Sequence, residues 1–208
     1  MRKTFALGGV VASIVLIGFG IGSIVVGANG RSEVRSNVDR ELIVGTPDMT
    51  PFAIAAESKK AGLAASLALP SCSVAGKAIN SGSRAKCFAS YMRIHTLEAT
   101  GGKTYSQMGQ YLDAKGNPTS DKAVAAIDPQ TKKPVANQAR QIWVTETALT
   151  TALNMAFFAE QVATFAIVMG FALLLSGIGF TVLTLRALMP ADARKPERAR
   201  AATPVPVA

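Results

Sequence analysis

Ionisable side chains are missing from two long stretches of this 208-residue chain. Phe5–Ala28 and Val162–Leu185 each run 24 residues without one. A bilayer core takes roughly 20 apolar residues as a helix, because only a helix satisfies its own backbone hydrogen bonds in hydrocarbon. The two stretches read as transmembrane helices at 5–28 and 162–185. The lack of charge inside either argues against a proton relay or ion pathway within one chain. A cleaved signal peptide is the rival reading of the first stretch, with Arg2 and Lys3 before it and Val26-Gly27-Ala28 as the cleavage site. A signal peptide's apolar core usually runs about 7 to 15 residues, so retention as an anchor is the expectation.

Cysteine and histidine are nearly as scarce. Cys72, Cys87 and His95 are the only ones, and all lie in the polar segment 29–161. A metal site built from them lacks CxxC or HxxxH spacing and a fourth ligand. One disulfide between Cys72 and Cys87 is the simpler expectation, closing a loop of about 15 residues and worth about 3 kcal/mol if unstrained. Aromatic residues are few, at 6%, and none is interleaved on a basic helix. No nucleic-acid partner is expected. Asn117-Pro118-Thr119 is no glycosylation acceptor, since proline occupies its middle position.

What the chain does have is basic charge, unevenly placed. Segment 29–161 holds 15 basic and 11 acidic residues; the two ends hold seven basic and two acidic. Arg186, Arg194, Lys195, Arg198 and Arg200 follow the second span, whereas the nearest basic residue before it is Arg140. This places the C-terminus in the cytoplasm. Two spans then put the N-terminal residues 1–4 inside as well, and segment 29–161 outside. Arg31, Arg35 and Arg40 beyond the first span do not oppose this, because long loops cross largely regardless of charge. The tail 186–208, rich in arginine and proline, is expected to be disordered against the inner leaflet. The expected fold is an all-α, two-span protein of the plasma membrane with a small, mainly helical extracytoplasmic domain.

Inside that domain, Val34, Val38 and Leu42 recur at helical spacing, so the first helix should run on to about Val44. Thr50-Pro51 supplies a cap and first position for a second helix, Pro51 to about Leu69. A third, about Ala85 to Ala99, should end at Thr100-Gly101-Gly102. Tyr105–Leu112 is a candidate short helix, and Asp113–Ala136 reads as an exposed loop. From about Asn137 a helix should continue into the second span, with Ile142, Leu149, Leu153 and Phe157 on one side.

Candidate chemistry is thin. Gly101-Gly102-Lys103-Thr104 imitates the end of a phosphate-binding loop, but Leu97 stands where that motif needs glycine. Arg93, His95 and Glu98 could form an acid–base cluster, against which stands a plain solvated helix face. No catalytic set, cofactor or metal is expected. In the spans, Gly18 and Gly22 form a GxxxG pair, and Gly170 and Gly177 are small residues in the second. Such residues let helix backbones pack closely in lipid, either between the two spans or with another membrane protein.

The segments Gly45-Thr46-Pro47-Asp48-Met49-Thr50-Pro51, Cys72-Ser73-Val74-Ala75-Gly76-Lys77, Cys87 to His95 and Trp143 to Leu149 resemble an uncharacterised family of two-span membrane proteins from actinobacteria. The likeness covers most of the chain except the tail. Some members bear the label of an aromatic ring-opening dioxygenase subunit, yet one histidine cannot furnish the two-His-plus-carboxylate iron site of such chemistry. The resemblance implies architecture and no activity. The expectation is a non-enzymatic envelope protein in the bilayer, associating with itself or with a membrane complex. The alternatives are an extracytoplasmic ligand-sensing module or an envelope enzyme. A sensor would depend on a partner to read its state, since the inner ends 1–4 and 186–208 are too short for a signalling domain.

Overall fold

The computed structural model describes residues 2–188; of the basic tail, 189–208 lies outside the described residues. The chain runs α1 (Arg2–Asp39), α2 (Pro51–Lys60), α3 (Gly82–Ala99), a 3-10 turn (Tyr105–Gln107), β1 (Tyr111–Leu112), β2 (Pro118–Thr119) and α4 (Gln138–Leu188). Contacts divide it into two units, Asn29–Ala163 and the residues on either side of it. Helices α1 and α4 each contribute to both.

The apolar unit holds the uncharged parts of α1 and α4, two helices long and apolar enough to cross a membrane. At 1.5 Å per residue, α1 with 38 residues and α4 with 51 each exceed the roughly 30 Å of hydrocarbon. Ile14, Phe19, Val26, Phe165, Leu175 and Leu183 are 65–70% exposed, unlike the core helix of a soluble domain. Three hydroxyls of these apolar helices are satisfied locally. Ser13, Ser176 and Thr181 each donate to the carbonyl four residues earlier, at 2.7–2.9 Å.

The polar unit is built around α3. Its N-cap Ser81 accepts from the Arg84 amide, and its fully buried Tyr91 and Ile94 pack with Ile54 of α2, Val74 and Ile79. The expected stop holds. Gly101 takes a φ of +62°, and the Gly101 and Gly102 amides return to Glu98 and Leu97, a Schellman ending. Cys72 and Cys87 are joined, with Cα atoms 6.1 Å apart, which ties the loop before α3 to its second turn. The Tyr91 hydroxyl, one turn further on, donates to the Cys72 carbonyl and holds the same loop from the side.

Several boundaries differ from the sequence reading. Helix α1 ends at Asp39, not Val44, because Leu42 adopts a φ of +52° and points outward, while Ile43 turns in to the core. Helix α2 stops at Lys60 rather than near Leu69. Gly62, at φ +67°, closes it with a Schellman pattern in which the Leu63 and Gly62 amides return to Ser58 and Lys59. Tyr105–Leu112 holds a single 3-10 turn and then β1 instead of a helix. The stretch read as a loop is paired backbone: β1 lies antiparallel to β2, and bridges join Tyr111 to Ala136, Asp113 to Ala125 and Ile127 to Pro134. The chain is therefore mostly helical, with a small β element added. On α4 the buried face carries Trp143, Glu146, Leu153 and Glu160; Ile142 and Leu149 are exposed.

Candidate functional site

The three residues proposed as an acid–base cluster do not meet. Successive helix positions turn by 100°, so Arg93 and His95 leave α3 in nearly opposite directions. The Arg93 guanidinium lies 4.1 Å over the Trp143 ring and 3.6 Å from Glu146. Trp143 is thus a core residue carrying a cation on its face. Glu98 is exposed.

His95 turns instead toward α2. Its Nε2 lies 3.0 Å from Asp48 Oδ2 and 3.7 Å from Glu57 Oε2. Three elements supply the trio. Asp48 sits in the Thr46–Met49 turn, Glu57 on α2 and His95 on α3; Ile54 of α2 and Ile94 of α3, both in the unit's core, hold the two helices together. The three donor atoms all lie within 4.8 Å of one another. The Thr46 hydroxyl holds the Asp48 carboxyl below the usual carboxylate range; partial burial opposes this and the His95 ring assists it. One nitrogen and two carboxylate oxygens converging in this way can hold a proton or a divalent cation. Sequence reasoning missed Asp48 and Glu57, which are nine positions apart and share no motif with His95.

A second convergence of charge lies at the α1 side of the polar unit. Glu160, with a nearly buried side chain, accepts from Arg35 Nε at 2.8 Å, Arg31 Nε at 3.2 Å and the Gly82 amide at 2.6 Å. A methyl on Gly82 would sit 2.7 Å from the Phe157 Cα, so α3 begins in direct backbone contact with α4.

In the apolar unit the small residues divide into two sets. Gly170 and Gly177 lie where the helices cross: a methyl on Gly170 would be 2.7 Å from the Gly20 carbonyl oxygen, and one on Gly177 2.7 Å from Ile17 Cγ1. Gly20 completes that contact, its methyl falling 2.8 Å from the Leu174 amide nitrogen. Gly18 and Gly22 do not take part. They have open space in front of them and line a shallow apolar groove with Ile14, Val15, Phe19 and Val26. On α1, pairing of the two helices therefore falls to Gly20, 200° around the helix from each member of the GxxxG pair, and to Gly9, which faces Thr184.

Comparison with protein-family models, with curated proteins and with solved structures finds no match.

Proposed function

We propose that this chain is a non-enzymatic integral membrane protein of the cell envelope that associates with another membrane-spanning helix, of its own kind or of a complex, through the Gly18–Gly22 face. The observation that carries the reading is the division of labour among the glycines. Gly20, Gly170 and Gly177 are used up in pairing the chain's own apolar helices, whereas Gly18 and Gly22 sit one turn apart with nothing before them. Exposed backbone of that kind lets a further helix approach closely, and dispersion across the contact favours association in lipid. The orientation proposed has both ends of the chain in the cytoplasm and the polar unit outside. It is supported by the basic residues that follow the second span and by the Cys72–Cys87 disulfide, which suits an oxidising compartment.

The test compares Gly18→Leu and Gly22→Leu with Gly179→Leu, a control glycine that also faces open space. Each variant is purified from native membranes in mild detergent, and accompanying proteins are identified by mass spectrometry and by cross-linking. The first two should lose a stoichiometric companion, another copy or a second protein, that the control keeps. Equal recovery from all three would refute the face as the point of association.

A further inference from the structure

His95 Nε2 is enclosed and makes no hydrogen bond, although two carboxylates stand beside it. At 3.0 Å, Asp48 Oδ2 is close enough to accept a proton but lies off the line a ring N–H would take. The three donor atoms instead lie within 4.8 Å of one another. From this geometry we infer that Asp48, Glu57 and His95 are the ligands of a first-row divalent cation, zinc in the first place. Bonds of about 2.0–2.2 Å to nitrogen and oxygen at tetrahedral or octahedral angles put neighbouring ligand atoms about 3–3.5 Å apart. Of the separations around His95 Nε2, the 3.0 Å to Asp48 is of that size and the 3.7 Å to Glu57 is slightly longer. Three protein donors leave a coordination position for water or for a donor from a partner, as in zinc sites that are not purely structural. One imidazole with two carboxylates suits zinc or manganese, whereas calcium prefers six to eight oxygens.

The site has a mechanical consequence. An ion there would fasten the Asp48 turn and α2, neighbours in sequence, to the more distant α3, and so would stabilise the polar unit on binding. The inference stands on the polar unit alone and does not need the membrane association proposed above.

The experiment uses the full chain, untagged, in detergent and stripped of metal by chelation. Zn²⁺ alone is titrated by calorimetry, followed by Mn²⁺ and Ca²⁺, with thermal unfolding read from Trp143 fluorescence. Wild type should take one Zn²⁺ per chain and unfold at a higher temperature when loaded. His95→Gln, Asp48→Asn and Glu57→Gln should each weaken binding by at least about tenfold while the metal-free unfolding temperature stays near wild type. Co²⁺ gives a readout that requires no variant, since coordination by His95 produces a visible absorption band that Zn²⁺ abolishes. The assignment is overturned if wild type shows neither Zn²⁺ uptake nor that band. It also fails if Ca²⁺ binds in preference, or if uptake survives the folded variants.

Discussion

Glu146 and Glu160 lie on the buried face of α4, each with a side chain only 4–6% exposed, where a reading by hydrophobic period places apolar residues. Each is answered by arginine from another helix: Glu146 by Arg93, and Glu160 by Arg31 and Arg35. A carboxylate so enclosed is tolerable only while its partners stay. The arginines are themselves close to half exposed, which weakens the ion pairs through solvent. The part of Glu160 most sensitive to loss is then its bond from the Gly82 amide at the start of α3. Glu160→Ala strands that buried N–H and should cost about 1–3 kcal/mol in urea unfolding of the detergent-solubilised chain. Glu160→Gln retains an acceptor and should cost less; equal losses would show that charge, not the amide bond, dominates. Tyr91 is the neutral counterpart, its hydroxyl pushed up from its ordinary pKa by burial while it holds the Cys72 carbonyl.

At the scale of elements, the β part between residues 109 and 137 depends on two aspartates. Asp113 accepts from the Asn117 and Lys115 amides, and Asp128 from those of Thr131 and Gln130. Hydrogen bonds from Asn117 hold Asp113 below the usual carboxylate range, and bonds from Thr131 and Gln130 do the same for Asp128. A lowered folded-state pKa means the turns are supported above the unfolded carboxylate range and lose that support as pH falls below about 3.8. Amide exchange at Asn117 and Thr131 should therefore accelerate, relative to the α3 amides, once the pH drops below that value. Parallel behaviour of turns and helix would show that the aspartates are not what holds this element. These turns also mark where sequence reading ran out. Long uncharged helices, the Thr50-Pro51 start and the Gly101-Gly102 stop are local signals, and the chain obeys them. The β pairings join two-residue strands too short to show alternation. The Asp48–Glu57–His95 meeting depends on how α2 packs against α3, which no spacing reveals. Gly18 and Gly22 were legible as a motif, but their direction was not, because it depends on which side of α1 the second helix occupies.

At the scale of the whole molecule, apolar helical stretches precede and follow in sequence a polar unit that is stapled by one disulfide and in which Asp48 and Glu57 meet His95 while Glu146 and Glu160 meet arginines. The orientation proposed for it makes association a matter for the spans and any cation a matter for the outside solution. Orientation is thus the claim on which the rest of the functional account turns. It is tested most directly by single-cysteine labelling in intact cells with a membrane-impermeant maleimide, the native disulfide being left in place. Ser120→Cys places a thiol at an exposed position of the polar unit, and Ala201→Cys places one in the basic tail. The account predicts that Ser120→Cys is labelled in intact cells and Ala201→Cys only after the membrane is opened. Labelling of Ala201→Cys in intact cells, with Ser120→Cys protected until lysis, would contradict it.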